Sequence, residues 1–194
     1  MENRRTQREE QICESVLRLW EKQGDLHTIT VQQIADAAGL GKGTVYEYFT
    51  SREEIFAKAF AYRMEHEFSR LETLLKEAEN FEKRLRVLLK AADHLLETQN
   101  VGMQVLSACL GRKTDLKKLC AQVDCPYSER VMALLELTIQ RGVEEGVFPP
   151  PRSLRYAVLA MLSGLTGYVS YRRVHPQEPG LEQDTIELIS RALA

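Results

Sequence analysis

Apolar residues recur along nearly the whole chain at the three-and-four spacing of amphipathic α-helices, with polar residues between them. Ile12, Val16, Leu19 and Trp20 predict a helix over about residues 6–23, ended by Gly24-Asp25. Thr30 is a suitable N-cap for a short helix carrying Val31, Ile34 and Ala35, which Gly39 stops. A third helix is predicted over Lys42–Tyr48. Thr50-Ser51 caps a fourth, with Glu53 and Glu54 in the first turn, where the helix dipole favours acids. Its apolar positions, Ile55, Phe56, Phe60, Met64, Phe68, Leu71 and Leu75, carry it to about Ala78, long enough to link two parts of a molecule.

The same period continues in the second half. Phe81, Leu85, Leu88, Leu89, Ala92, Leu95 and Leu96 predict a helix over about 81–98. Shorter helices are predicted over Val101 to Leu110 and over 114–123. Pro126 then opens a helix that runs to the Gly142–Gly146 region. Phe148-Pro-Pro-Pro is an extended, rigid connection. Ser153 caps an apolar helix to about Arg173, His175–Gly180 is a loop, and Leu181 to Leu193 is a terminal helix. The predicted fold is all-α, without internal repeats.

Composition narrows the class. The 194 residues carry a formal charge of −2, with 44% hydrophobic and 28% charged residues, which suits a globular protein of one large or two small domains. Near-neutrality excludes a histone-like binder but leaves room for a small local nucleic-acid patch. The longest apolar stretch, Tyr156 to Tyr171, is interrupted by Ser163, Gly164, Thr166 and Gly167 and falls short of a membrane span. The N-terminus lacks an apolar leader core, and Cys13, Cys109, Cys120 and Cys125 read as reduced thiols, so a cytoplasmic location is expected.

Thr30 to Phe56 reads TVQQIADAAGLGKGTVYEYFTSREEIF. Two short helices joined at Ala38-Gly39-Leu40 have the form of a helix-turn-helix. Ile34, small Ala35, Leu40 and Val45 face inward, Phe49 plugs the core, and Gly39 supplies a positive φ. Gln32, Gln33, Lys42, Gly43, Thr44, Tyr46 and Tyr48 are left outward, as residue types compatible with a DNA groove. An ordinary helical hairpin with a solvated polar face has the same local pattern.

The ordered series Ile34-Ala35, Ala38-Gly39-Leu40, Thr44-Val45-Tyr46, Tyr48-Phe49 and Ser51-Arg52-Glu53-Glu54-Ile55-Phe56 resembles the DNA-binding domain of the TetR-type transcriptional repressors. The likeness is continuous from the first helix to Phe56, with Arg52 standing where that family often has lysine. It implies a three-helix DNA-binding domain over residues 1–52, joined by a long helix to a helical ligand-binding and dimerisation domain over 53–194. By the same resemblance, Lys42, Gly43, Thr44 and Tyr46 would meet base edges in the major groove. Thr30, Tyr48 and Arg52 would hold phosphates, and Gln32 would reach a base or a phosphate. Arg4, Arg5 and Arg8 would form an arm near the minor groove, unless they are a solvated terminus. Acids outnumber bases ten to eight in residues 1–58, so non-specific DNA affinity is expected to be modest and salt-sensitive.

For the second domain the resemblance implies a homodimer built on the helix from Ser153 and the terminal helix. Ser163, Gly164 and Gly167 would open a close approach for another backbone. Leu154, Ala157, Val158, Met161, Leu165 and Val169 make the first of these helices apolar on nearly all faces, the mark of a helix buried all round. The resemblance also implies a small-molecule effector pocket, with candidate lining residues Tyr62, His66, His94, Thr98, Met103, Leu106, Cys109, Tyr127, Met132, Thr138 and Tyr168. Cys109, Cys120 and Cys125 raise a thiol- or metal-sensing alternative, although their spacings match no Cys-x-x-Cys ligand pair. A helical adaptor that binds no DNA is the other alternative. No phosphate loop, nucleophile elbow or clustered acid-base set is present in the sequence, so neither catalysis nor a cofactor is expected.

Overall fold

A computed structural model describes residues 2–97 and 127–194. Every regular element among them is helical: α1 (Glu2–Gln23), a 3-10 turn (Leu26–Thr28), α2 (Val31–Ala37), α3 (Lys42–Tyr48), α4 (Arg52–Glu77), α5 (Phe81–Glu97), α6 (Tyr127–Glu144), α7 (Leu154–Val174) and α8 (Leu181–Leu193). The helices predicted over Val101 to Leu110 and over 114–123, and the start at Pro126, lie outside the described residues. The chain forms two compact units. The described part of the first runs to Glu67, and the second runs from Phe68 to Glu97 and from Tyr127 to Ala194. Among the described residues no helix is long and apolar enough to cross a membrane.

In the first unit, α1 packs on α2 and α3 around Ile12, Val16, Trp20, Ile34, Ala35 and Val45, all essentially removed from water. Ile55, Phe60 and Met64 of α4 are buried as well. α1 begins at Glu2, earlier than its apolar period indicates. Arg5 and Arg8 lie within this helix, Arg5 paired with Glu9 at 3.1 Å and Arg8 donating to Gln11 at 3.0 Å. These i,i+3 and i,i+4 pairs favour helix across residues read as an arm near the minor groove or a solvated terminus.

The second unit closes its core with Leu75, Phe81, Leu85, Leu89, Leu135, Ile139, Phe148, Ala157, Met161, Tyr168 and Ile189. Phe81 and Phe148 meet edge to face, with ring centroids 5.0 Å apart. They close over Gly142, where a Cβ would stand 2.5 Å from Phe148 Cζ and 2.9 Å from Phe81 Cδ2, so no larger residue fits beneath the rings. The Glu145 carboxylate accepts from the Phe81 N–H at 2.8 Å and so caps the start of α5 from the turn that follows α6.

α7 departs from the expectation of burial all round. Ala157, Met161, Gly164 and Tyr168 are buried on one face, at the helical period. Leu159 on the other side is 56% exposed, and Tyr156, Tyr171 and Val174 are exposed as well. Gly164 also has a different role from the expected one. A Cβ there would lie 2.8 Å from Ile189 Cδ1 and closer still to its Cγ1, so this glycine admits α8 of its own chain. Gly167 has open space at the same test.

Candidate nucleic-acid interface and effector region

The turn between α2 and α3 is built from both sides. The Thr30 hydroxyl accepts from the Gln33 N–H at 3.2 Å, and the Gln33 side chain accepts in return from the Thr30 N–H at 2.8 Å, a reciprocal capping box. At the other end Ala38 and Leu40 donate to Ile34 and Ala35 carbonyls, and Gly39 takes φ +65°, where a side chain would be strained. Gln11 of α1 donates to the Ala38 carbonyl at 2.8 Å and ties the turn to the first helix. Its contribution escapes sequence reading because the partners are far apart in the chain. The Thr30 cap was read from the sequence, whereas Gln33 was placed only among the outward residues; the Thr-x-x-Gln spacing is the signal for its reciprocal bond.

The capping box sets one expected result. Thr30→Ala should lower the stability of the first unit by about 1 kcal/mol, and Thr30→Ser should restore most of it. Urea unfolding followed by Trp20 fluorescence measures this; equal midpoints for wild type and Thr30→Ala would show that the cap contributes nothing.

The predicted contact residues are distributed as follows. Val45 is buried, whereas Lys42, Gly43 and Tyr46 are exposed and Thr44 and Tyr48 are half-buried. Tyr46 presents 47% of its surface to water, a large aromatic ring without cover. α3 thus packs through Val45, with Phe49 buried just beyond its end, and turns Lys42, Gly43, Tyr46 and Glu47 outward. Thr30 and Gln32 are exposed on the same edge of α2, with the Gln32 amide donating to Asp36 at 2.8 Å. Arg52 is half-buried: its guanidinium lies 5.3 Å over the Phe56 ring and reaches the Ile29 carbonyl at 3.5 Å and Glu53 at 3.8 Å. At the start of α4, Ser51 caps the Glu54 N–H, and the Glu54 carboxylate accepts twice from Thr50 at 2.6 Å. Those bonds from Thr50 hold the Glu54 carboxyl below its ordinary pKa.

The expected effector residues are divided between the two units. Tyr62 belongs to the first unit, donates to Glu14 at 3.1 Å and meets His66 edge to face at 4.4 Å. Desolvation and the Glu14 bond push its phenol up to about 12. His94, Met132, Thr138 and Tyr168 belong to the second unit. Thr138 is buried and donates to the Leu134 carbonyl of its own helix at 2.8 Å, leaving its hydroxyl committed. Tyr168 is the centre of a polar cluster in the core: it donates to Asp93 at 2.7 Å and accepts from Arg172 at 3.1 Å. Burial, with the Asp93 bond, pushes its phenol up to about 12. Arg172 extends the cluster to the Pro176 and Glu178 carbonyls. Asp93 and Arg172 carried no recognisable signal in the sequence, because they meet only when α5 and α7 pack. Tyr127 begins α6, and Thr98, Met103, Leu106, Cys109, Cys120 and Cys125 lie outside the described residues.

Residues 15–59 match the model of the bacterial regulatory proteins of the tetR family. This segment is similar to the DNA-binding part of the TetR-type regulators. The nucleoid occlusion factor SlmA of Marinobacter nauticus is 24% identical over 169 residues, spanning 84% of this chain and 82% of that protein. The HTH-type transcriptional repressor KstR2 of Mycobacterium tuberculosis is 25% identical over 129 residues, 64% of this chain and 62% of that one. The transcriptional regulator FadR of Bacillus subtilis, solved in complex with stearoyl-CoA, superposes with a TM-score of 0.62 at 18% identity, covering 95% of this chain and 97% of its own. The matched segment contains the complete α2–turn–α3 unit and the first part of α4. It leaves out the whole of the second unit.

Proposed function

We propose that this regulator is a repressor that binds a pseudo-palindromic operator as an isologous homodimer and is released by a small-molecule effector. Residues 1–52 carry the operator contacts, and residues 53–194 carry effector binding and self-association. The observation that supports this most directly is the asymmetry of α3: one side is packed through Val45, and the remainder, with Lys42, Gly43, Thr44 and Tyr46, is turned outward. In the major groove these residues meet base edges, while Thr30, Tyr48 and Arg52 hold the flanking phosphates and Gln32 reaches a base or a phosphate.

Self-association is favoured by the exposed stripe on α7. Tyr156, Leu159 and Val174 alternate there with small Ser163, Thr166, Gly167 and Ser170, and Leu188 of α8 is 61% exposed. An apolar helix face with small residues in its middle is covered at low cost by its own symmetry mate. A two-fold pair then presents two α3 helices to half-sites about one helical turn apart. Effector binding in the second unit lowers operator affinity by favouring dimer conformers in which that spacing is lost.

Gel retardation with DNA flanking the protein's own gene, at fixed salt, tests the reading. A specific shift over random duplex is expected, and Leu159→Asp should abolish it while moving sedimentation from dimer to folded monomer. Retardation no stronger than on random DNA would overturn the operator; a Leu159→Asp protein that stays dimeric would overturn the interface. Long-chain acyl-CoA, the ligand class bound by the Bacillus subtilis neighbour, is the first effector probe, with loss of the shift as the readout.

A further inference from the structure

We propose that Glu47 is a base-reading residue, accepting a hydrogen bond from a cytosine N4 amino group in the major groove and selecting one base pair in each half-site. The inference rests on the operator reading above. Helical geometry places Gly43 and Glu47 two residues either side of buried Val45, hence both on the face of α3 directed away from the core. A Cβ at Gly43 would meet nothing within 4 Å, and Glu47 is exposed, so this face carries a single side chain that nothing on its own helix shields.

The carboxylate has no structural occupation. Several other acids of the first unit are engaged, Glu9 with Arg5, Glu14 with Tyr62, Glu21 with Arg63, Asp36 with Gln32, and Glu54 with Thr50, whereas Glu10 on α1 is as free as Glu47. Glu47 makes no hydrogen bond or ion pair among the described residues. It also stands in the last turn of α3, which holds no basic residue and where the helix dipole disfavours an acid. On a phosphate-facing surface it would repel the backbone. An acid tolerated there in spite of both penalties is accounted for by a partner that donates. In the major groove the donors are amino groups, and a carboxylate pairs with cytosine N4. Guanine N7 and O6 and thymine O4 are acceptors that repel Glu47, and at adenine the N7 acceptor beside the N6 donor opposes it, so it selects by exclusion as well as by attraction. Gly43 permits the approach, since no side chain on that face holds the helix away from the base edges.

Selection of bound sequences from a randomised duplex pool, using the full chain, tests this. Wild type should enrich cytosine at one position of each half-site. Glu47→Ala should lose that preference, with discrimination at the pair falling by roughly tenfold, while random duplex is bound more tightly. Glu47→Gln should shift the preference to adenine, whose N6 and N7 an amide reads. Unchanged thermal melting of both variants separates this from misfolding. A Glu47→Ala protein that keeps every base preference of the wild type would overturn the role of Glu47 and leave the operator reading standing. A wild-type protein that enriches no sequence would instead overturn the operator reading, and this inference with it.

Discussion

Gly164→Leu is expected to destabilise the second unit by at least about 2 kcal/mol, read as a lower urea midpoint. The space a larger residue would need is held by Ile189 of the same chain, which is fully buried and cannot turn away into water. Overpacking at such a point displaces α8 from α7 or forces Ile189 off its rotamer. Gly167→Leu is the control: its Cβ meets open space, so the urea midpoint of the monomeric unit should stay near wild type and any change should appear in association. If Gly164→Leu instead kept its midpoint and changed only sedimentation, the close approach of Ile189 would not govern the fold.

Operator binding should collapse when the outward face of α3 is stripped. Lys42→Ala and Tyr46→Ala each remove a group that makes no hydrogen bond or ion pair within the described residues, so stability should hardly change while affinity falls. A base contact contributes about 1–3 kcal/mol, and in the proposed symmetric dimer each substitution acts twice. The expected loss is therefore about 2–6 kcal/mol, which is roughly 30-fold at its low end. Lys42→Ala should also relax base preference, whereas Tyr48→Phe, which removes the proposed phosphate partner, should weaken all sequences alike. Titrations against operator and random duplex over a range of salt distinguish these. A Lys42→Ala protein that lost affinity equally for both duplexes would make Lys42 a phosphate contact.

Periodicity located the helices well because an amphipathic stripe is a local property. Ile12, Val16 and Trp20, or Leu85 and Leu89, declare a buried face whatever packs on it. Caps were legible for the same reason: Thr30, Ser51 and Ser153 satisfy N–H groups three residues away. The start of α1 was missed because its first turns are held by charge pairs such as Arg5–Glu9, which leave no apolar signature. The α3 side of the candidate interface could be read from the ordered motif, since each position's inward or outward direction follows from one helical turn.

Partnerships across the chain could not be read in this way. That Gln11 supports the Ala38 carbonyl, that Glu145 caps α5, and that Tyr168 joins Asp93 and Arg172 depends on residues brought together from up to 75 positions apart. The same holds for α7, whose composition announced burial without saying by what. By itself the sequence determined the helical elements, their caps and the DNA-binding motif, because each is set by residues within about one or two turns. Only the tertiary structure decided that Gly164 belongs to the intrachain contact with α8 while Leu159 and Gly167 remain outside it. Small residues advertise close approach in either case, and steric exclusion by Ile189 distinguishes the two.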